Sequence, residues 1–206
     1  MKMYGIQGNP VRVAIFLAEK GVEMDFVPVD LMAGEHRTPE FLARNPLAQV
    51  PVLELDDGTV ITETQAICRY LERLYPQPCL MGATPLEEAH IEMWQRRLEL
   101  NLYTAARAVF RHSVPALKAL EPVQISAWAE LNRPRVSEML AIVDRQLAAS
   151  TWVAGERFSV ADITLLFCLQ MTDRIGFPLA ENGEHIRRWH QLARQRPSVV
   201  AVMGGC

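Results

Sequence analysis

The sequence lacks an apolar run long enough to cross a bilayer. Its longest largely apolar stretch, residues 163–169, falls far short of the roughly 20 residues that a membrane-spanning helix needs. The first residues also lack the basic and apolar regions of a signal peptide. We therefore expect neither a membrane protein nor a secreted one, and we predict a cytoplasmic protein.

An excess of basic charge is also absent. The chain of 206 residues has 21 Lys and Arg against 24 Asp and Glu, which gives a formal net charge of −3. Because binding to nucleic-acid phosphates needs a clustered basic surface, this balance argues against nucleic acid as the main partner. Half of the residues are apolar and 22% are charged, which is typical of a globular protein and excludes a disordered one.

Cysteine is scarce and shows no metal-binding pattern. The four cysteines, at positions 68, 79, 168 and 206, form no C-x-x-C motif and have no zinc-like spacing. We interpret Cys68 and Cys168 as small core residues, because both lie in apolar helical stretches. The sequence thus predicts reduced thiols, no metal site and no catalytic cysteine.

The first part of the chain, up to about residue 78, alternates short β-like runs with helical segments. Apolar residues recur at helical spacing over residues 10–20, and Gly21 is placed to end that helix. Strands are predicted at 2–4, 25–29, 52–55 and 60–61, with a short helix at 38–44. Asp57-Gly58 predicts a hairpin between the last two strands. This order of elements predicts a thioredoxin-like α/β domain over residues 1–78.

The rest of the chain is predicted to be helical. After the breaks at 76–78 and 82–85, strand signals nearly vanish, and long helices are predicted at 85–112 and 123–149. Pro134 predicts a kink or a break in the second of these helices. Two further helices are predicted at 159–173 and 184–195, so that an all-α domain spans residues 84–206.

Four motifs identify a family resemblance. Residues 9–21, 45–53, 62–67 and 158–164 resemble, in order and spacing, segments of bacterial and fungal cytosolic glutathione S-transferases. The resemblance covers nearly the whole chain. It implies a thioredoxin-like N-terminal domain that binds glutathione, followed by an all-α C-terminal domain with a pocket for a small hydrophobic electrophile. It also implies glutathione as co-substrate, no metal and a homodimer.

The resemblance assigns glutathione-binding roles to two segments. Pro51 is expected to be cis, so that the N–H and C=O of Val50 pair with the cysteinyl backbone of glutathione like an added strand. Thr64, where the family commonly has serine, is expected to hold the γ-glutamyl carboxylate at a helix N-terminus, while Glu63 accepts the γ-glutamyl ammonium. A second interpretation of this segment needs no ligand, because Thr62-x-x-Gln65 fits a capping box.

The glycyl carboxylate at the other end of glutathione needs a donor or a cation. His36 is the nearest match to the basic residue that the family uses there, and Gln49 lies beside the proline strand. An ordinary solvated loop histidine is the alternative interpretation of His36.

The residue that stabilises the thiolate is not obvious. The family uses Tyr, Ser or Cys near the first helix, whereas Tyr4 is interpreted here as a packed sheet residue. Asn9 followed by Pro10 predicts an N-cap with proline in the first turn. Its amide, together with the N–H groups of Val11 and Arg12, is predicted to hold the thiolate at the positive end of the helix.

A base in the helical domain is the second route to the thiolate. His112, at the end of the predicted helix 85–112, is the candidate, acting through water. The alternative is a histidine that favours the negative end of the helix dipole. Tyr103, Arg107 and Arg111 share a helix face, which either lines the electrophile pocket or forms salt bridges to a partner subunit.

The resemblance makes one function the main prediction, and two alternatives stay open. The first is conjugation of the glutathione thiolate to small hydrophobic electrophiles. The second is glutathione-dependent reduction of disulfides or peroxides, which the lack of a cysteine near the first helix disfavours. The third is a non-catalytic binding module, favoured by the missing Tyr, Ser or Cys and opposed by Pro51, Glu63 and Thr64. Ser159-x-x-Asp162 is a further capping box, assigned to folding alone.

Overall fold

The computed structural model describes residues 1–6 and 10–204, and the chain divides into two compact units. The first unit contains Met1–Pro78 together with a helix near the end of the chain, and the second contains Cys79–Arg196. Each unit has its own core of fully buried apolar side chains.

The first unit is a four-stranded mixed sheet with helices. Its elements are β1 (Lys2–Gly5), α1 (Val11–Lys20), β2 (Asp25–Pro28), a 3₁₀ turn (Glu35–Arg37), α2 (Pro39–Arg44), β3 (Val52–Glu54), β4 (Val60–Thr62) and α3 (Thr64–Leu74). The strand order is β2-β1-β3-β4, with β1 and β2 parallel and the other two pairs antiparallel. This arrangement confirms the predicted thioredoxin-like fold class.

Helix α1 shows why the local sequence specifies this layer. Val13, Ile15 and Phe16 are fully buried, since apolar residues at helical spacing face the core. Gly21 ends the helix in the left-handed conformation, at φ 64°, as predicted. The buried Lys20 ammonium lies 2.6 Å from the Glu72 carboxylate, which ties the end of α1 to α3.

A helix near the end of the chain, α9 (Pro197–Met203), packs on α1. Val199 is fully buried and Met203 nearly so, and the Ser198 hydroxyl donates to the Glu19 carboxylate. This helix groups with the first unit, although it falls within the range 84–206 that was predicted for the helical domain.

The second unit is helical. Its helices are α4 (Pro85–Arg97), a π-helix (Leu98–Tyr103), α5 (Thr104–Ser113), α6 (Ser126–Ala148), α7 (Val160–Asp173) and α8 (Glu184–Arg194), with 3₁₀ turns at Pro115–Ala119 and Leu179–Glu181. The predicted helix 85–112 is thus a continuous helical run that contains a π segment. This unit confirms the all-α half of the predicted fold class.

Pro134 lies inside α6, so of the two predicted outcomes the break is wrong and the kink stays a prediction. Proline removes one helical hydrogen bond, which leaves the carbonyl of Glu130 without its usual donor. Because Glu130 is exposed, water can bond that carbonyl, so the helix continues at low cost.

The capping box at the start of α7 is present as predicted. The Asp162 carboxylate accepts hydrogen bonds from the Ser159 N–H at 2.9 Å and the Ser159 hydroxyl at 3.0 Å. It also accepts from the Val153 N–H and the Trp189 indole N–H, both at 2.9 Å. This fully buried carboxylate therefore joins the start of α7 to α8 and to the loop before it.

Two features are absent from residues 1–6 and 10–204. No helix there is long and apolar enough to pass through a membrane. No group of three or more His, Cys, Asp or Glu side chains there is placed to hold a metal ion.

Candidate functional site

The register of the sheet brings three predicted segments of the first unit together. Val52 of β3 pairs with Thr62 of β4, so the residues just before Val52 lie beside those just after Thr62. Val52 also pairs with Tyr4 of β1, on its other side. The start of β3, the start of α3 and the end of β1 therefore meet at one end of the sheet.

The Val50–Pro51 peptide bond is cis, which confirms that expectation. Pro51 is buried, and Val50 packs against a small apolar cluster of Val29, Phe41 and Val52. The N–H and carbonyl of Val50 have no hydrogen-bond partner among the described residues. Both groups are thus left for another chain segment or a ligand.

Asn45 organises the turn that leads to Val50. Its side chain is 2% exposed; the amide N–H donates to the Gln49 carbonyl at 2.8 Å, and the amide oxygen accepts from the Leu47 N–H at 3.1 Å. Ala48 has a positive φ of 53°, a conformation that a non-glycine residue adopts when its surroundings hold it. Sequence analysis did not single out Asn45 as a site residue.

The start of α3 carries the predicted pair Glu63 and Thr64. Glu63 precedes the helix with a φ of 66° and has an exposed side chain, whereas Thr64 is 6% exposed. The Thr64 hydroxyl accepts a hydrogen bond from Nη2 of Arg12 at 3.2 Å. Strained backbone of this kind is concentrated at functional sites.

The predicted capping box Thr62-x-x-Gln65 is wrong. The residue that precedes α3 is Glu63, and no side chain caps the helix. The side-chain amide of Gln65 is buried without a hydrogen-bond partner among the described residues. The positive φ of Glu63 turns the chain between Thr62 and the helix, which prevents the reciprocal bonds of a capping box.

The two residues predicted to bind the glycyl carboxylate differ in burial. His36, in the 3₁₀ turn, is 5% exposed, so its alternative interpretation as a solvated loop histidine is wrong. The Gln49 side chain is exposed, beside Val50. The carboxylate-binding role of both residues stays a prediction.

Tyr4 is a packed sheet residue, as interpreted from the sequence. Its hydroxyl donates to the Glu54 carboxylate at 3.2 Å, and the Arg44 guanidinium lies over its ring. Arg44 also donates to Glu54 at 2.7 Å, and this hydrogen bond holds the pKa of Glu54 below its usual value. Tyr4 is thus engaged in linking α2 to β3.

The first turn of α1 contains Val11 and Arg12, two of the three residues predicted to hold the thiolate. Asn9 itself lies outside the described residues. The helix begins at Val11, and Pro10 precedes it instead of occupying its first turn. No acidic side chain lies in this turn, so no carboxylate there opposes the binding of an anion at the positive end of the helix.

Arg12, also in this turn, is a residue whose side chain the sequence analysis missed. A cation is unfavourable at the positive end of a helix, and that mismatch was the available signal.

His112, the predicted base, ends α5 of the second unit. Its Nδ1 accepts a hydrogen bond from the Ile125 N–H at 3.1 Å, just before α6. A neutral imidazole with Nδ1 as acceptor carries its proton on Nε2. In this arrangement Nε2 is a donor, and a base role requires that the bond to Ile125 be broken.

The face predicted to hold Tyr103, Arg107 and Arg111 is largely engaged within the second unit. The Tyr103 ring packs against Phe167 with centroids 5.5 Å apart. Arg111 donates to the Leu120 carbonyl at 2.7 Å, so its guanidinium holds the chain between α5 and α6. Arg107 is exposed.

Comparison with known proteins matches both units to one family. Residues 1–73 match the family model for the glutathione S-transferase N-terminal domain, and residues 103–197 match that for the C-terminal domain. Glutathione S-transferase 2 of Saccharomyces cerevisiae is 40% identical over 197 residues, which are 94% of this chain and 84% of the yeast protein. Maleylacetoacetate isomerase of Pseudomonas aeruginosa is 32% identical over 207 residues, 96% of this chain and 93% of the relative.

Solved structures agree with the sequence comparison. A glutathione S-transferase domain-containing protein from Marinobacter aquaeolei superposes with a TM-score of 0.90 at 41% identity. The superposition covers 97% of this chain and 100% of the other.

Proposed function

Because the chain belongs to the glutathione S-transferase family, we propose that it binds glutathione in the first unit and transfers it to small hydrophobic electrophiles. In this reaction the thiolate sulfur forms a bond to an electrophilic carbon. With a chloroaromatic substrate, chloride leaves with the electron pair of the broken bond. The convergence of three segments at one end of the sheet supports this proposal most directly.

The backbone of Val50 is the proposed partner of the cysteinyl part of glutathione. Its N–H and carbonyl have no partner among the described residues, and Val50 lies two residues before the start of β3. An extended peptide that pairs with both groups adds a short strand, the mode known as β-augmentation. We place the glycyl carboxylate toward His36 and Gln49.

The start of α3 is the proposed partner of the γ-glutamyl end. The helix N-terminus and the Thr64 hydroxyl offer donors to its carboxylate, and the exposed Glu63 carboxylate accepts from its ammonium. The adjacent carboxylate and ammonium of the γ-glutamyl end therefore each have a complementary group at the start of α3.

The proposed thiolate site is the first turn of α1. Lowering the pKa of a thiol by about two units requires roughly 2.7 kcal/mol of stabilisation of the anion. The N–H groups of Val11 and Arg12, the helix dipole and the Asn9 amide together supply contributions of this size. We further propose that the protein is a cytosolic homodimer, with no nucleic-acid partner and no metal cofactor.

Conjugation assays test the proposed function. With glutathione and a chlorodinitrobenzene, we expect release of chloride and formation of the thioether at a rate above that without protein. Maleylacetoacetate is a second substrate to test, since one relative is named for its isomerisation. No turnover of any electrophile by a protein that does bind glutathione would favour the binding-module alternative.

Replacing Asn9 by alanine is expected to lower kcat/KM about tenfold. The amide is proposed to donate one hydrogen bond to the thiolate, and such a bond contributes on the order of 1.5 kcal/mol. The measurement is turnover together with the thiol pKa of bound glutathione. Unchanged turnover would assign thiolate stabilisation to the backbone N–H groups alone.

Two replacements of His112 separate catalysis from structure. His112→Asn retains an acceptor near the position of Nδ1, so the bond to the Ile125 N–H survives while the basic imidazole ring is lost. If the predicted catalytic role holds, we expect kcat to fall about tenfold in His112→Asn with little change in unfolding temperature. A normal kcat in His112→Asn, with lowered stability only in His112→Ala, would limit His112 to linking α5 and α6.

A further inference from the structure

Arg12 occupies a position that its own helix does not favour. It lies in the first turn of α1, where the helix dipole opposes a cation by roughly 0.3–1 kcal/mol. Its side chain is half-buried, and Nη2 donates to the Thr64 hydroxyl at 3.2 Å, across 52 residues of sequence. The guanidinium is therefore directed to the start of α3.

The contact with Arg12 restricts what the Thr64 hydroxyl can do. A hydroxyl has one proton to donate and two lone pairs. Because Arg12 donates to one lone pair, the hydroxyl proton must be directed to a different group. Thr64 is 6% exposed, so its surroundings fix the side chain in this orientation. The hydroxyl is thus prepared to donate to an acceptor at the helix N-terminus.

We propose that Arg12 is a positioning residue for the γ-glutamyl α-carboxylate of glutathione. It orients the Thr64 hydroxyl as a donor to that carboxylate and adds positive charge to the same end of α3. Glu63 next to it carries an exposed carboxylate for the α-ammonium, so the site recognises a zwitterionic amino-acid end. This inference rests on the proposed function and names how that site selects one end of the tripeptide.

Binding of S-methylglutathione tests the proposal, because this ligand has the γ-glutamyl end but no ionisable thiol. The variants are Arg12→Met, which keeps much of the apolar stem, Thr64→Val and the double variant. Each single variant is expected to bind S-methylglutathione about tenfold more weakly. The double variant is expected to bind within about twofold of the weaker single variant, because both replacements disrupt the same interaction.

A second ligand identifies the group that is recognised. An analogue of S-methylglutathione without the α-carboxylate is expected to lose no more than twofold in any of the three variants. Losses that multiply to about a hundredfold in the double variant would overturn the proposal. Equal losses for both ligands would overturn it as well.

Two controls exclude a merely structural effect. Thr64→Ser keeps the hydroxyl and is expected to bind within twofold of the parent. Arg73→Met removes an exposed arginine from the last turn of α3. It is expected to change neither the affinity for S-methylglutathione nor that for the analogue without the α-carboxylate. Arg12→Gln replaces Arg12→Met if the latter does not fold. In turnover, the Arg12 variants are expected to raise KM for glutathione about tenfold and to leave the thiol pKa of the bound glutathione unchanged.

The same experiments separate this inference from the proposed function. Failure of the unaltered protein to bind S-methylglutathione at millimolar concentration would contradict the proposed function itself. Binding by the unaltered protein with independent effects of Arg12 and Thr64 would contradict only the inference.

Discussion

Replacing Asp162 by alanine is expected to lower the free energy of unfolding by about 3–5 kcal/mol. The carboxylate is fully buried and accepts four hydrogen bonds, from Ser159, Val153 and Trp189. Its loss leaves these donors buried without partners, and each such group costs about 1–3 kcal/mol before the structure relaxes. Denaturant unfolding of the parent and the variant measures the difference.

Ser159→Ala is the matched control, because it removes one of the four donors and leaves the carboxylate in place. We expect it to cost about 1 kcal/mol. Equal stability of Asp162→Ala and the parent would contradict the role of this carboxylate in joining α7 to α8.

The pH dependence of Asp162→Asn extends this test. Burial raises the pKa of Asp162 to about 6, against about 3.9 in an unfolded chain. Between these values the folded protein binds a proton that the unfolded chain has lost, so this group's contribution to stability increases as pH falls through 6. Asparagine does not titrate, so the stability difference between parent and variant should be larger at pH 5 than at pH 7.5, by about 1 kcal/mol. A difference that is the same at both pH values would contradict the raised pKa.

Replacing Asn45 by alanine is expected to raise KM for glutathione about tenfold and to lower the free energy of unfolding by about 2 kcal/mol. Its buried amide bonds both the Gln49 carbonyl and the Leu47 N–H, and so fixes the turn before Val50. Without it, the N–H and carbonyl of Val50 lose the fixed position that pairing with a ligand needs.

Two variants make the Asn45 result specific. Asn45→Asp keeps the acceptor for the Leu47 N–H but loses the donor to the Gln49 carbonyl, so we expect the same rise in KM. Asn101→Ala removes an exposed asparagine that donates to the Arg97 carbonyl, and should leave KM unchanged. A normal KM in Asn45→Ala, accompanied by lower stability, would contradict the positioning role.

Local patterns were sufficient to predict most elements of the fold. The helical spacing before Gly21 predicts α1, and Asp57-Gly58 predicts the hairpin between β3 and β4. In each case neighbouring residues alone determine the backbone, through apolar spacing or through a turn that glycine favours.

Two predictions from local sequence patterns failed. Thr62-x-x-Gln65 has the residues of a capping box, yet the positive φ of Glu63 moves the helix start by one residue. Pro134 has a local preference to end a helix, and the packing of α6 against α5 overrides it.

The candidate site could be predicted only in part, because some of its contacts join residues that are distant in sequence. The motif around Pro51 and the start of α3 can be recognised from sequence, and the sheet register brings them together. The Arg12–Thr64 contact joins residues 52 positions apart, and no local signal specifies its geometry. Asn45 was overlooked because an asparagine before a proline is also typical of an ordinary turn.

A titration of the thiol of bound glutathione tests the central claim, which is that the first unit favours glutathione as the thiolate. Thiolate absorbance in the ultraviolet is followed against pH, with the protein alone subtracted and free glutathione as reference. The account predicts a pKa lower than that of an ordinary thiol, about 8.5, by about two units. A bound thiol that titrates like the free one would contradict it.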